Sequence, residues 1–209
     1  MLYNTSKRFM DLAIVLIAAP IAIPLVFFGA IASAIAHRSN PFFVQLRTGQ
    51  AGKPFNVFKL KTMHDAEGGQ DEDAQNDAAR LTRVGQILRK TSIDELPQLW
   101  NVAVGNMSIV GPRPQMRRYA AMMTAEEFRR HEVKPGITGW AQINGRNAVT
   151  WSERFRLDVW YVDNANLWLD VKIVLTTPVY ILKGHGVSDG KTVTMTPLDL
   201  ERSSTRDAA

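Results

Sequence analysis

Cysteine is absent from all 209 residues, which excludes disulfides, thiolate metal sites and cysteine nucleophiles. Histidine is scarce, and His37, His64, His131 and His185 are too scattered to give the ligand spacing of a zinc site. The phosphate-binding glycine loop that ends in Gly-Lys-Ser/Thr is missing, as are the dinucleotide-binding glycine fingerprint and the nucleophile elbow of serine hydrolases. ATP-type, Rossmann and serine-hydrolase readings therefore have no support. Internal repeats and low-complexity stretches are also lacking. Charge of one sign is only mildly in excess, with 25 Lys+Arg against 20 Asp+Glu and a formal net charge of +5. That balance favours anionic partners without choosing among nucleic acid, anionic lipid and phosphorylated substrates.

What is present begins with a long apolar run. Leu12 to Ala36 carries no charged side chain and, as one straight helix, would measure about 37 Å at ~1.5 Å per residue. A hydrocarbon core of about 30 Å is spanned by that length. The run is too long for a secretory signal and has no clear cleavage pattern. Pro20 and Pro24 interrupt it, each removing a helix N–H and crowding the carbonyl one turn back. Both flanks are basic, with Lys7 and Arg8 before it and His37 and Arg38 after it. The positive-inside rule then asks both ends to stay in the cytoplasm. A helix–break–helix hairpin and a kinked spanning helix both fit these residues.

Downstream, residues 41–63 read as extended segments around a Gly-Pro-rich turn, and 55–61 alternate as a half-buried strand that would aim Lys59 and Lys61 to one face. Residues 64–79 form an acidic loop without the spacing of a calcium loop. Arg80–Lys90 predicts a basic amphipathic helix with Leu81, Val84, Ile87 and Leu88 on its stripe. Helices are also predicted over 126–132, 151–161 and 168–183, the last kinked or divided by Pro178, followed by a polar, irregular tail.

Three segments carry chemistry. Ser92 and Glu95 have the spacing of a capping box, which by itself marks only a helix start. The same pole would keep Asp94 ionised, as a carboxylate nucleophile requires, and would favour a phosphate. Pro112 and Pro114 clamp Arg113, which suits a guanidinium fork on phosphate or a solvated turn. Residues 134–147 are glycine-rich, and Asn144-Gly145 would present Arg146. Trp140 suits core packing first and stacking on a base second, whereas Trp151, Trp160 and Trp168 suit core packing first and interfacial anchoring second.

In this order the segments resemble the bacterial sugar transferase family, the small monotopic polyprenyl-phosphate phosphoglycosyl transferases. The matching residues are Lys7, Arg8 and Asp11, the proline-broken apolar run, Phe58-Lys59-Leu60-Lys61-Thr62-Met63, Leu88 through Asn101, Gly111-Pro112-Arg113-Pro114, Lys134 through Asn147, and Asp158 through Val162. The match covers nearly the whole chain, from about Lys7 to Lys183. The family often has Ser-Pro at the membrane break, where this chain has Ile23-Pro24 with Ala19-Pro20 one turn earlier.

The resemblance implies a helix-rich α/β fold. Residues 1–38 form an N-terminal re-entrant membrane hairpin broken at Pro20 and Pro24. Residues 39–184 form a small cytoplasmic catalytic domain with interfacial amphipathic helices, and 185–209 a flexible tail. It implies an enzyme of the bacterial inner membrane, facing the cytoplasm, that moves a phospho-sugar from a UDP-sugar to undecaprenyl (polyprenyl) phosphate and releases UMP. Such a step initiates exopolysaccharide, capsule, O-antigen or glycoprotein glycan synthesis. Asp94 and Glu95 are the implied catalytic dyad, with Asp94 forming a covalent intermediate and holding Mg²⁺. Lys59, Lys61, Arg89, Arg113, Arg146 and Asp158 are the candidates for substrate and phosphate binding. Anionic membrane lipid is an expected partner and a homodimer is compatible, whereas nucleic acid is not expected because no binding module is present. A non-enzymatic membrane-tethered scaffold is the alternative. It explains the apolar run but not the clustered dyad. The sugar and the polymer are not legible in the sequence.

Overall fold

The computed structural model describes residues 2–65, 77–144, 150–182 and 197–207. The apolar run and its flanks form one helix, α1 (Leu2–His37), with Pro20 and Pro24 inside it. The expected non-helical break is not seen. Proline's fixed φ is itself helical, so each residue costs one backbone hydrogen bond and a clash without forcing an extended residue. By length and composition α1 can cross a membrane, and its middle exposes Leu16, Ile17, Ile21, Ile23, Phe27 and Phe28. Both of its ends nevertheless pack on the same folded unit. Near the start, Lys7, Arg8 and Asp11 make polar contacts with it. Near the end, Ser33 Oγ donates to the Lys61 carbonyl at 2.7 Å.

An antiparallel hairpin follows, β1 (Phe42–Thr48) and β2 (Pro54–Leu60), with Val44 opposite Phe58. Its connection contains Ala51 and Gly52, both with positive φ. Alternation in β1 is inverted: Phe42, Val44 and Leu46 are exposed while Gln45 and Arg47 lie on the covered face. Next come α2 (Asp77–Arg80) and α3 (Arg83–Lys90), the latter capped by Thr82, whose Oγ1 accepts from the Gly85 N–H. In the α3 stripe Leu88 is buried, but Ile87 is exposed. A three-residue turn, Ile93–Glu95, leads into α4 (Gln98–Val104), which ends at Gly105 with φ 90°.

The second sheet was not legible in the sequence. It pairs β3 (Ser108–Val110) in parallel with β4 (Gly136–Thr138), two strands too short to show a period. Between them lie α5 (Arg117–Ala120) and α6 (Ala125–Phe128), the latter closed by a capping box of Thr124 and Glu127. After β4 come α7 (Trp140–Ile143), α8 (Trp151–Asn164) and α9 (Leu167–Leu182), which Pro178 does not divide. The described end of the tail is helical rather than irregular, as α10 (Leu198–Asp207). It is anchored by fully buried Leu198 against Tyr119, Trp151 and Phe155, and Glu201 accepts from the Trp151 N–H at 3.0 Å. The main core gathers Val57, Val102, Met107, Val110, Tyr161 and Ile173.

Glycine is required where backbones touch. A Cβ on Gly136 would lie 2.1 Å from the Gly111 nitrogen, and one on Gly139 would lie 2.2 Å from the Gly111 carbonyl oxygen. These glycines let two backbone segments meet each other. At Gly85 a Cβ would sit 1.9 Å from the Thr62 carbonyl oxygen, so α3 rides directly on the chain leaving β2. Gly85→Ala must push α3 outward and should cost about 1–3 kcal/mol or more. Thermal unfolding in detergent would show this as a lowered Tm.

Candidate active site

The dyad sits on the short turn between α3 and α4. Ser92 is left-handed (φ 57°, ψ 18°) and makes no capping bond, which overturns the capping-box reading. The reason is electrostatic: Glu95 is drawn away to two cations. Lys59 Nζ lies 2.9 Å from Glu95 Oε1. Arg113 forks the same carboxylate, with Nη1 donating to Oε2 at 3.2 Å and Nη2 donating to Oε1. Burial alone would raise the Glu95 carboxyl, but Arg113 and Lys59 together hold it well below the usual carboxylate range. Burial lowers the Lys59 ammonium, with Glu95 opposing, while Glu95 raises Arg113. Glu95 is therefore a fixed anion whose task is to hold two cations.

Asp94 differs. It is 8% exposed, and among the described residues its carboxylate takes no hydrogen bond. Burial, then the charge of Glu95, raises it to about 6, against the pull of Lys59, Arg89 and Arg113. A helix pole was expected to keep it ionised. The turn that carries it is only three residues long, and desolvation wins. Above about pH 6 it is a poorly solvated carboxylate surrounded by cations, the state a nucleophile toward phosphorus needs.

The other candidates divide. Arg89 Nε donates to Thr62 Oγ1 at 3.0 Å, and its charge reaches Asp94. Lys61 leaves the site. It lies beyond the end of β2, where alternation no longer applies, and its Nζ pairs with Asp65 at 2.9 Å and with Ser39 Oγ at 3.2 Å. Asp158 is fully buried behind the site in an ion pair with Arg130 at 2.8 Å. Arg130 in turn donates to the Arg113 carbonyl at 2.7 Å, so Asp158 supports the loop that carries Arg113 and does not face a ligand. Arg146 lies outside the described residues. Trp151 is buried and Trp140 packs against the core, as expected, and Trp140 stacks on Trp160 with ring centroids 4.5 Å apart. Trp160 and Trp168 themselves are exposed, against the core packing first expected of them.

Two further arginines were missed in the sequence. Arg47 on β1 and Arg154 on α8 are each lowered to about 10, first by burial and then by the repulsion of Arg113. The signal for Arg47 was the inverted alternation of β1. Arg154 had none, because its place depends on how α8 docks. The result is a concentration of positive charge around the Glu95–Arg113 pair beside Asp94, an arrangement that favours an anion.

Asp94→Asn removes a charge that folding desolvates beside Glu95. Ionised Asp94 is penalised by its raised pKa, so the penalty is complete above about pH 6 and absent below the ordinary value of 3.8. The variant should therefore be more stable than the native chain at pH 8, by up to about 3 kcal/mol. The gain should fade as pH falls from 6 to 4. Tm measured across that range without added metal checks it.

The family model for bacterial sugar transferases matches residues 2–184. An uncharacterized sugar transferase of Bacillus subtilis, EpsL, is 51% identical over 156 residues, covering 75% of this chain and 77% of that protein. A UDP-N-acetylgalactosamine-undecaprenyl-phosphate N-acetylgalactosaminephosphotransferase of Aeromonas hydrophila is 38% identical over 197 residues, covering 88% of this chain but 45% of the relative. A UDP-glucose:undecaprenyl-phosphate glucose-1-phosphate transferase of Caulobacter vibrioides is 40% identical over 180 residues, covering 82% and 67%. The chain thus spans under half the length of the Aeromonas relative and about two thirds of the Caulobacter one. With a family match running through the dyad turn, the Arg113 loop and α1, the chain belongs to the bacterial sugar transferases.

Proposed function

We propose that the chain transfers a phospho-sugar from a UDP-sugar to polyprenyl phosphate at the cytoplasmic face of the inner membrane. The observation that carries this is Asp94, a buried carboxylate without a hydrogen-bond partner among the described residues, beside Glu95 pinned between Lys59 and Arg113. The named substrates of the Aeromonas and Caulobacter relatives are of the same class.

The chemistry follows from charge. The Asp94 carboxylate attacks the β-phosphorus of the donor, and the bond from that phosphorus to the bridging oxygen breaks. UMP leaves with the bonding electrons, and an acyl-phosphate sugar remains on Asp94. The polyprenyl phosphate oxygen then attacks the same phosphorus and frees the carboxylate. Lys59, Arg89 and Arg113 neutralise the phosphates. Glu95 keeps two of those cations in place, which is positioning and electrostatic stabilisation rather than proton transfer.

Mg²⁺ fits this donor set in its usual mode, with one or two carboxylates and the remaining positions taken by substrate phosphates and water. Asp94 and Glu95 would hold it, Asp94 the more readily because Glu95 is already paired. When bound, the metal supplies further neutralisation of the diphosphate.

A re-entrant course for α1 is part of the same proposal. Both flanks are basic, and both ends pack on one folded unit. A Cβ on Gly29 would lie 3.3 Å from the Ile93 side chain, so the second arm of α1 packs beside the dyad turn. That packing supports a reading in which the Asp94 carboxylate meets a lipid phosphate. Exposed Trp168, Leu175 and Val179 on α9 are suited to the lipid interface.

Intact-protein mass after mixing with UDP-sugar alone should rise by one phospho-sugar, and Asp94→Asn should abolish both the adduct and UMP release by more than about 10³-fold. An active Asp94→Asn enzyme removes Asp94 from the nucleophile role. EDTA in excess should stop UMP release, and added Mg²⁺ should restore it.

A further inference from the structure

Two struts meet at the Glu95–Arg113 pair. One is α4, whose N-terminal end follows Glu95 through Leu96 and Pro97. The other is β3, which runs through Gly111 and Pro112 to Arg113. The opposite ends of both struts are held by one face of the first turns of α1. Arg8 donates from Nη1 to the Val102 carbonyl and from Nη2 to the Ala103 carbonyl at 2.6 Å, a cation on the last carbonyls of α4. Asp11, 2% exposed, accepts at its Oδ1 from Ser108 Oγ at 3.0 Å and from the Ile109 N–H at 2.9 Å, at the start of β3. Lys7, one turn before Asp11, is tied to buried Asp170 on α9 at 2.7 Å.

The path from Asp11 to Arg113 is stiff. Ser108 and Val110 pair with Gly136 and Thr138. The Gly111 N–H donates to the Thr138 carbonyl at 2.9 Å, and the Gly136 N–H donates to the Pro112 carbonyl at 3.0 Å. A shift of β3 along its axis therefore carries Arg113 with it. A shift of α4 carries Glu95.

We propose that Asp11 is a positioning residue for phosphoryl transfer: from α1 it fixes β3 relative to α4, and so sets how Arg113 meets Glu95 beside Asp94. The inference rests on the proposed function for its kinetic readout. It makes the placement of the apolar helix a determinant of the geometry at the reacting carboxylate. Asp11 touches no reacting atom. A displacement of the order of 1 Å at such a site is enough to cost up to about 10²-fold in rate.

The test is the single-turnover rate of adduct formation in the full chain. Asp11→Ala should slow it by at least about tenfold. Both bonds end on one oxygen, which an amide oxygen can replace, so Asp11→Asn should stay within about threefold of the native rate. In a double-mutant cycle, Asp11→Ala and Arg113→Lys should cost less together than the product of their separate effects, because both loosen the same contact. Ser108→Ala serves where Asp11→Ala does not fold, and should show a smaller loss with the same coupling. A native rate in Asp11→Ala, or in Ser108→Ala where only that variant folds, overturns the proposal, as does independent multiplication with Arg113→Lys. Hydrogen exchange over 93–105 and 106–115 needs no activity: it should quicken in both segments in Asp11→Ala and in neither in Asp11→Asn, and unchanged exchange in Asp11→Ala overturns the proposal. Absence of any adduct in the native chain counts against the function reading, and the exchange result then decides on Asp11 alone.

Discussion

Glu95 lies between Lys59 and Arg113, and the candidate site is organised around that carboxylate. A cation from β2 and a cation from the loop after β3 would repel each other in a half-buried space without it. The anion lets them share one small volume, and the same arrangement leaves neighbouring Asp94 desolvated and without a hydrogen bond among the described residues. Two adjacent carboxylates thus acquire opposite characters from their surroundings: one fixed and deeply ionised, the other desolvated and raised to about 6. Separation of roles by environment is the usual way a protein makes similar groups do different work.

Backbone contacts maintain that arrangement. Gly111, Gly136 and Gly139 bring the Arg113 loop against the segment that enters α7, closer than any side chain would permit. Pro112 and Pro114 stiffen the loop, and the buried Arg130–Asp158 pair holds the Arg113 carbonyl from behind. A guanidinium forked onto a carboxylate needs this rigidity, because its fork geometry tolerates little rotation.

Helix α1 joins the site to its apolar surroundings. Its middle exposes large apolar side chains, which is costly in water and natural in lipid. Its ends are fastened to the folded unit at Asp11 and Ser33, and Gly29 brings it against the dyad turn. The apolar helix is therefore part of the architecture around Asp94 and more than a tether.

Much of this was legible in the sequence because it depends on local rules. Apolar content and length determine α1, a period of two marks β2, and turn residues mark the hairpin connection. The order of the motifs points to the dyad at Asp94 and Glu95 and to the clamped Arg113. Local rules misled where tertiary forces were larger. Ser92 and Glu95 have the spacing of a capping box, but two distant cations outweigh one backbone N–H. Lys59 and Lys61 were expected on one face, yet the strand ends between them. Asp158, which only the resemblance had marked for substrate or phosphate binding, is paired with Arg130, 28 residues away in sequence. The parallel β3–β4 pair, the inward Arg47 and Arg154, and the seat of Leu198 depend on contacts between segments far apart in the chain. Periodicity and capping act over a few residues, and a sequence displays them directly. Charge pairing, desolvation and close backbone approach act through space, so only the folded chain decides them.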